Sequence, residues 1–418
     1  MACGAAVART PQLRRLPDAL EALREPRFRL LFAARSVSVL GGTMADIALA
    51  FAVLRIGSRV DLGYVIGVRE VPMVVLLLLG GVWADRLPRA LVLVGSDTAR
   101  GATQALTATL LLTGRASVVA VALVQILYGG ANAFGRPAYQ GLIPQVVSAE
   151  RLQPANALLG LSYSTVGIAG AAVGGVLVAY ANPGWALLVD AVTFGISALL
   201  LLQIRLPSIV RTAGASVLTD FREGWREFVA RRWVVGMVAS FGIFQLATFP
   251  ALLVLGPYVA KTQLGGSIAW GTILSVETAG AFVGGGLALR VRFGRPLVAC
   301  LVLALPTAAF LLVLGLATPV WVLSCVAFVN GSCLSLGGAV WFSTLQEKIP
   351  EHLISRISSF DWFGSVALNP IGYILVGPLS ELVGVAGALY LSAAVNVTAT
   401  LAVLAMPSVR AIRSGRDV

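Results

Sequence analysis

Gly80-Gly81-Val82-Trp83-Ala84-Asp85-Arg86-Leu87-Pro88-Arg89 is a short, charged turn between two long apolar stretches of the chain. The glycine pair at the end of the first stretch allows two helices to pack closely. One acid and two arginines follow, at the point where a membrane-spanning helix would leave the bilayer. The stretch therefore predicts a tight connection between two membrane helices, with its charges at the membrane surface.

The composition extends this prediction to the whole chain. Of its 418 residues, 58% are hydrophobic and 12% are charged, whereas soluble domains carry about 25% charged residues. A helix needs roughly 20 mostly apolar residues to span a bilayer, and about a dozen such stretches are present. No long segment alternates apolar and polar residues, which disfavours an outer-membrane barrel. The predicted spans are 28–55, 63–84, 90–113, 117–139, 153–180, 184–205, 233–258, 266–289, 296–316, 318–343, 354–379 and 385–407.

The net charge of +12 is a topology signal rather than the signature of a nucleic-acid-binding protein. If the N-terminus is cytoplasmic, 23 of the 31 lysines and arginines fall on the inner side. Only four of them, Arg55, Arg59, Arg115 and Lys261, fall on the outer side. This distribution follows the positive-inside rule. It predicts a multi-pass protein of a bacterial-type plasma membrane, surrounded by lipid, with both termini in the cytoplasm.

The chain divides into two halves of similar length around a charged linker. In this linker, Phe221, Trp225 and Phe228 share one helical face. That pattern indicates an amphipathic helix on the inner membrane surface; a solvated linker with a short helix is the alternative. The predicted units are a cytoplasmic segment 1–27, a six-helix bundle 28–206, the linker 207–232, a second six-helix bundle 233–407 and a cytoplasmic tail 408–418.

Short motifs recur in the two halves at an offset of 205 to 208 residues. Gly129-Gly130-Ala131-Asn132-Ala133-Phe134 matches Gly337-Gly338-Ala339-Val340-Trp341-Phe342, and each is followed by Ile-Pro. Arg86-Leu87-Pro88-Arg89 matches Arg292-Phe293-Gly294-Arg295, in both cases after a glycine pair. Several landmarks at nearly one offset indicate a parallel repeat of two six-helix units.

The opening stretch resembles the loop signature Gly-x-x-x-Asp-Arg-x-Gly-Arg-Arg of the major facilitator superfamily. Gly81, Asp85, Arg86 and Arg89 match it, whereas Pro88 and the residue after Arg89 depart from it. The resemblance implies an all-α integral membrane fold, with twelve transmembrane helices in two pseudo-symmetric six-helix halves. It also implies that the protein is a secondary transporter.

In that family, the charged loop belongs to a gate that closes the cytoplasmic side. The resemblance assigns this role to Gly81, Asp85, Arg86 and Arg89, and Asp361 at the start of span 11 could join the cluster. An acid near a helix N-terminus is stabilised by the helix dipole. The alternative is that these charges only end the spans and set the topology.

Span 5 carries a run of small residues that resembles a signature of exporters, Gly-x-x-x-Gly-Pro-x-x-Gly-Gly. Gly170, Gly174 and Gly175 match it, Ala171 replaces the proline, and Gly167 lies one residue from the first glycine position. A seam of small residues for helix packing is the alternative. Further motifs between Phe28 and Met406 are similar to the branch that includes enterobactin exporters and macrolide efflux proteins.

Acids within the spans are candidates for proton coupling, because a charge in hydrocarbon is costly and is retained for function. The candidates are Glu277 in span 8, Asp46 in span 1 and Glu70 in span 2. A structural ion pair between Asp46 and Arg69 is the alternative. Asp97 and Arg100, three residues apart on span 3, are expected to neutralise each other, and Asp190 is interpreted as structural.

These features predict a proton-coupled exporter of an amphipathic drug, macrolide or siderophore, with uptake by the same fold as the alternative. A membrane-embedded enzyme is disfavoured because His352 is the single histidine and no nucleophile–base motif is present. We expect a monomer without metal or cofactor that binds a small-molecule substrate and protons. The predicted cavity residues are Arg35, Gln125, Tyr128, Asn132, Phe244, Gln245 and Trp341, with Gln125 standing where drug–proton exchangers of the family carry an arginine.

Overall fold

The computed structural model describes residues 21–84, 88–204 and 217–414, and within these ranges it is helical without strands. The first half contains α1 (Pro26–Ile56), α2 (Arg59–Ala84), α3 (Arg89–Leu112), α4 (Val118–Val146), α5 (Leu152–Tyr180) and α6 (Pro183–Leu202). The linker forms α7 (Val217–Ala230). The second half contains α8 (Arg232–Leu264), α9 (Ser267–Ala288), α10 (Pro296–Gly315), α11 (Val320–Lys348), α12 (Glu351–Val366) and α13 (Asn369–Leu404), followed by a single turn, α14 (Pro407–Arg410).

Twelve membrane-spanning segments can be traced in the described chain. Eight helical stretches are long and apolar enough to cross a membrane. One of these, Ile357–Leu404, breaks at Gly384, where φ is 77° and ψ is 162°, and so supplies two spans. The remaining three, α2, α3 and α9, are 26, 24 and 22 residues long, and a helix of about 20 residues crosses a bilayer. The all-α, twelve-span fold predicted from the sequence is confirmed.

Local sequence signals explain several helix boundaries. Pro26 and Pro183 occupy the first turns of α1 and α6, where a proline costs no hydrogen bond. The side chain of Ser117 caps α4 by accepting a hydrogen bond from the Ala120 backbone N–H. Gly265, with φ of 94°, ends α8 in the left-handed region. At these four boundaries, a span therefore begins or ends where the sequence supplies a cap, a proline or a glycine.

The two halves contact each other along two pairs of helices. Within the first half, α1 packs against α5 and α6, α3 packs against α4 and α6, and α2 packs against α4. Within the second half, α9 packs against α11, and α13 packs against α8 and α10. Between the halves, α5 packs against α9 and α2 packs against α13. The part of α13 that contacts α2 lies before the break at Gly384 and, with α12, forms the fifth span of the second half. The second and fifth spans of each half therefore form the contact between the halves.

The buried apolar side chains form one large cluster and two smaller ones. The large cluster, which we call the outer core, contains residues of both halves, from Ala45 and Leu54 to Leu314 and Ala393. At the opposite end, which also carries α7, each half has its own cluster. We call this the inner end. The two halves are thus joined by one core at the outer end and have separate cores at the inner end.

Close backbone approach at the glycines of α5 contributes to the outer contact. Any side chain at Gly174 would collide with the backbone of Met44 in α1, and one at Gly175 would collide with Ser267 in α9. The Ser267 hydroxyl donates a hydrogen bond to the Gly175 carbonyl over 2.8 Å. Of the other predicted packing residues, Gly170 lies against Thr43 and Leu40 of α1, and Gly167 faces Thr278 of α9.

Polar side chains add further links between the halves at the outer end. Arg59 at the start of α2 donates a hydrogen bond to the Ser380 hydroxyl of α13 over 2.7 Å. The guanidinium of Arg59 also lies 5.1 Å from the ring centre of Tyr258 in α8. Lys261 donates to the carbonyl of Leu54 at the end of α1. The outer end is consequently held shut by apolar, glycine-mediated and polar contacts together.

At the inner end, Glu25 fastens the beginning of α1 to the turn between α4 and α5. Its carboxylate accepts hydrogen bonds from the Ser148 N–H over 3.1 Å, the Ser148 hydroxyl over 2.8 Å and the Arg151 guanidinium over 3.2 Å. Partial burial alone would raise the pKa of Glu25, but these hydrogen bonds and the Arg151 charge outweigh it and lower the pKa. The carboxylate is therefore stabilised in its charged form.

The helix predicted within the linker is present as α7, and it packs against α12. The ring of Phe228 is buried and lies 5.7 Å from that of Phe360, while the Trp225 ring lies 5.6 Å from Phe360. Trp225 itself remains 52% exposed. The side chain of Phe221 lies outside the described residues. The aromatic face of α7 thus contacts the protein through Phe228, with Trp225 at the edge of that contact.

Candidate substrate and coupling site

A cavity of about 440 Å³, which we call the central cavity, lies on the inner side of the outer core and is bounded mainly by the first half. All six helices of this half contribute lining residues, α5 through Tyr163 alone. The second half contributes Trp362 of α12. The charged and polar residues on the wall are Arg35, Ser38, Thr43, Asp46, Arg69, Asp97, Arg100, Tyr128, Asn132, Tyr139, Gln140 and Ser197.

An ion pair between α1 and α2 stands at the cavity wall. Arg69 Nη1 lies 3.4 Å from Asp46 Oδ1, and the two side chains are 17% and 67% exposed. The pair that the sequence left as an alternative is therefore present. Because Asp46 is the more exposed partner, its carboxylate is open to the cavity while the arginine is held in the wall.

Tyr128 and a glycine position the arginine of this pair. The Arg69 guanidinium lies 4.4 Å from the ring centre of Tyr128 in α4, a geometry that favours a cation over an aromatic face. A side chain at Gly129 would collide with the backbone carbonyl of Arg69. The first glycine of the repeated Gly-Gly motif thus allows α2 and α4 to approach closely enough for Arg69 to stack on Tyr128.

A second ion pair lies deeper in the same wall. Arg100 Nη1 is 3.5 Å from Asp97 Oδ1 on α3, as the spacing of these residues predicts. The Ser197 hydroxyl of α6 donates to the other Asp97 oxygen over 2.6 Å. Arg100 also lies 4.0 Å from the ring centre of Phe194 and donates to the Tyr128 hydroxyl over 3.0 Å. Tyr128 therefore contacts both arginines and connects the two ion pairs.

Asp190 of α6 lies behind the cavity wall and is fully buried. Its carboxylate accepts a hydrogen bond from the Gln104 amide over 2.7 Å. A side chain at Gly41 in α1 would collide with Asp190 and Thr193. This arrangement fits the structural interpretation of Asp190, which joins α1, α3 and α6.

Arg35 and Asp46 both line the central cavity, as their shared face on α1 predicts. They are eleven residues apart, or about three helical turns. The Arg35 guanidinium lies 4.8 Å from the ring centre of Tyr139 in α4. Tyr128 and Asn132, two further predicted cavity residues on α4, line the same space. Three of the four cavity residues predicted in the first half therefore line this space.

The remaining predicted cavity residues lie elsewhere. Gln125 is completely buried, and neither its amide oxygen nor its amide nitrogen has a hydrogen-bond partner among the described residues. Trp341 is buried in the inner core of the second half, where its indole N–H donates to Asp361 over 3.1 Å. Phe244 lines a separate small pocket of about 20 Å³ in that half, and Gln245 is partly buried beside it on α8. None of these four residues lines the central cavity, because Gln125 and Trp341 are enclosed within the protein and Phe244 faces the separate pocket.

The three candidate coupling acids have different surroundings. Asp46 is on the cavity wall. Glu277 lies between α9 and α11, where it accepts a hydrogen bond from the Asn330 amide over 2.8 Å; Asn330 in turn accepts one from the Thr307 hydroxyl over 2.6 Å. Glu70 is partly buried on α2, within electrostatic range of Arg69. Of these acids, only Asp46 is among the residues that line the cavity.

The predicted gate falls partly outside the described residues. Asp85 and Arg86 lie there, while the backbone of Gly81 belongs to the last turn of α2. Arg89 begins α3 and donates a hydrogen bond to the Gly141 carbonyl of α4. Asp361 is buried against Trp341 within its own half. The assembly of these residues into one gate remains a prediction.

Sequence reasoning did not foresee that Tyr128 would join two arginines. The positions of Arg69 and Arg100 on adjacent helices carried no spacing signal, because the contact depends on how α2, α3 and α4 pack. The signal that pointed to it was the repeated Gly129-Gly130 pair, which predicts close approach of a neighbouring helix at Gly129.

Comparison with known proteins agrees with this architecture. Residues 18–415 match a family model described as transmembrane secretion effector. Over 93% of its length, the chain is 25% identical to the multidrug efflux pump Tap of Mycobacterium bovis, of which it covers 94%. It is 22% identical to an uncharacterised MFS-type transporter of Bacillus subtilis, YvqJ, over 90% of this chain and 91% of that one.

Solved structures of low sequence identity share the fold. A mutant form of the nucleoside transporter NupG superposes with a TM-score of 0.72 at 14% identity, covering 91% of this chain and 99% of that one. A D-xylose-proton symporter superposes with a TM-score of 0.70 at 14% identity, covering 93% and 100% of the two chains.

Proposed function

This chain belongs to the transmembrane secretion effector family and is a transporter of the major facilitator fold, not an enzyme; from this premise we propose that it exports an amphipathic small molecule in exchange for protons. The substrate class is a drug, a macrolide or a siderophore. The membrane is a bacterial-type plasma membrane, with both termini in the cytoplasm. The transporter acts as a monomer without a cofactor.

The observation that carries the proposal is the Asp46–Arg69 pair at the wall of the central cavity. Asp46 is 67% exposed, so substrate and water reach its carboxylate from the cavity. Protonation of Asp46 removes one charge of the pair and leaves Arg69 held by Tyr128. Substrate and proton therefore compete for one carboxylate, so that binding of substrate accompanies loss of the proton, which is the minimum requirement for exchange.

The distribution of the cores supports alternating access in this cycle. The halves share a core at the outer end and have separate cores at the inner end. Substrate thus enters from the inner side in the present arrangement. Transport then requires the outer contacts of α5 with α9 and of α2 with α13 to open while the inner end closes.

The gate residues and the other acids complete this mechanism. Asp85, Arg86 and Arg89, with Gly81 and Asp361, close the inner end in the outward-open state. Asp46 is the proton-coupling group that the cavity geometry favours. Glu277 and Glu70 are the alternative candidates for this role. The 25% identity to a multidrug efflux pump supports export; uptake by the same fold is the competing direction.

The experiment is transport by purified protein in liposomes. A dye, a macrolide and a siderophore are first screened for stabilisation of the protein against heat. With the best of these, Asp46→Asn should lower transport driven by a pH gradient by at least about tenfold, equivalent to about 1.4 kcal/mol. Exchange of labelled for unlabelled substrate, which needs no net proton movement, should persist.

Glu277→Gln and Glu70→Gln test the two alternative coupling acids in the same assay, because each removes one negative charge from the membrane region and keeps the side-chain shape. If Asp46→Asn transports at the wild-type rate under the gradient, Asp46 is not the coupling group. If all three variants do so, carboxylate-based coupling at these positions is wrong. Accumulation of substrate only in the uptake orientation of the vesicles would reverse the proposed direction.

A further inference from the structure

Arg35 stands at the junction of two spaces. Besides the central cavity, it lines an adjoining pocket of about 190 Å³ between α1, α4 and α5, which we call the arginine lobe. Tyr139 and Tyr163 line both spaces as well. The hydroxyls of Ser36 and Ser162 also line the lobe and are hydrogen-bonded to each other over 2.5 Å. A ligand in the central cavity thus reaches the lobe past the Arg35 guanidinium.

The charges on the cavity wall do not balance. Among its described residues, three arginines and two carboxylates line the central cavity. Asp46 pairs with Arg69, and Asp97 pairs with Arg100. Among the described residues, no carboxylate lies within ion-pair distance of Arg35, whose guanidinium instead lies against the Tyr139 ring. The surplus positive charge is therefore located at Arg35.

An arginine within a membrane-spanning segment is costly unless it has a partner or faces a water-filled cavity. Stacking on Tyr139 leaves the edge of the guanidinium, with its N–H donors, available for a planar anion. The two oxygens of a carboxylate match the spacing of two parallel N–H donors on this edge of the guanidinium. The aromatic rings of Tyr139, Tyr163 and Trp362 on the same walls suit the apolar body of the same molecule.

We propose that Arg35 is the recognition site for a carboxylate on the exported molecule, so that the substrate is an amphipathic acid. The carboxylate binds the Arg35 guanidinium, and the apolar body lies along Tyr139 and Tyr163. This inference rests on the proposed transport function, but it concerns binding alone and requires no proton gradient.

The test uses 1-pyrenebutyric acid and 1-pyrenebutyramide, which share a fluorescent apolar body and differ by one negative charge at neutral pH. Binding is measured on the full-length protein in nanodiscs of uncharged phosphatidylcholine. We expect the wild type to bind the acid at least about tenfold more tightly than the amide. Arg35→Gln should remove this preference while leaving amide binding unchanged within about twofold. Arg35→Lys should retain part of it, since the charge remains but the planar fork is lost.

Arg55→Gln is the matched control. Arg55 lies on the same helix as Arg35, but its guanidinium donates to the Val178 carbonyl at the outer end, away from the cavity. This variant should keep the wild-type preference. Retained binding of the amide shows that each variant is folded.

Three results would overturn the proposal: no binding of the acid by the wild type, equal binding of acid and amide, or a preference that survives in Arg35→Gln. Repeating the titration in phosphatidylglycerol nanodiscs separates a substrate from a lipid headgroup. If the anionic lipid displaces the acid from Arg35, the occupant is a headgroup and the substrate assignment fails. Because none of these measurements involves transport, their failure leaves the Asp46 test of the proposed function unaffected.

Discussion

Adding a single methyl group at Gly271 should open the outer end of the transporter. A Cβ at this position of α9 would lie 2.6 Å from the Ala171 carbonyl oxygen and 3.0 Å from the Gly175 Cα. Both neighbours are backbone atoms of α5, so no side chain can rotate away. Restoring ordinary contact at about 3.4 Å requires α5 and α9 to separate by about 0.8 Å.

The magnitude follows from the cost of overpacking a well-packed contact, about 1–3 kcal/mol. The strain exists only while the outer end is closed, since α5 and α9 part when it opens. Gly271→Ala should therefore raise the ratio of outer-open to outer-closed protein by about 5- to 150-fold. Gly286→Ala is the matched control on the same helix, because a Cβ there meets no atom within 4 Å. Both changes bring the same gain in helix propensity, about 1 kcal/mol.

The assay measures access to the central cavity from the outer face. Gly42 lines the cavity and has open space where a side chain would project, so Gly42→Cys is a suitable reporter in a protein without its native cysteines. A membrane-impermeant maleimide added on the face opposite α7 should label the reporter faster in Gly271→Ala than in Gly286→Ala. Equal labelling rates in the two variants would refute the idea that the α5–α9 contact holds the outer end closed.

Three further expectations concern other parts of the molecule. The carboxylate of Glu25 has a lowered pKa in the folded protein, so it stabilises the fold at pH values above its ordinary pKa of 4.5, and this stabilisation is lost as the pH falls through the lowered pKa. The wild type should therefore melt at a higher temperature than Glu25→Gln at neutral pH, and the difference should vanish in acid. Phe360→Ala should release α7 from α12, increasing the rate of tryptic cleavage in α7 several-fold and the solvent quenching of Trp225, and an unchanged cleavage rate would count against the docking of α7. Single cysteines near Arg115 should react with an impermeant reagent added outside and those near Arg222 only from inside; the reverse result would overturn the topology and the gate assignment together.

The sequence was sufficient for the fold because the decisive signals are long and repeated. Apolar runs of bilayer length, the glycine pairs and the constant offset between halves each constrain the same twelve-helix arrangement. Even the break at Gly384 falls in the predicted gap between spans 11 and 12. Such signals depend on period and length, which survive uncertainty about any single residue.

The site was predictable only in part. Arg35, Tyr128 and Asn132 line the cavity because they lie on helix faces that the period of 3.6 residues identifies. Trp341 occupies the position in the second half that matches Ala133 in the repeat, yet its large ring fills the inner core and its indole binds Asp361. Gln125 likewise turns into the protein interior. Which face of a helix meets a cavity is set by the packing of its neighbours, and a single sequence does not contain that information.

Phe360, Asp361 and Trp362 are consecutive in α12, yet each has a different neighbour. Phe360 contacts the linker helix α7, Asp361 accepts a hydrogen bond from Trp341, and Trp362 lines the central cavity. Successive residues of an α-helix point about 100° apart, so a rotation of α12 about its axis turns all three residues together. If a lipid or a protein at the membrane surface displaced α7 from Phe360 and α12 rotated as a result, Trp362 would move in the cavity wall. Binding at the membrane surface would then change the site that holds the substrate.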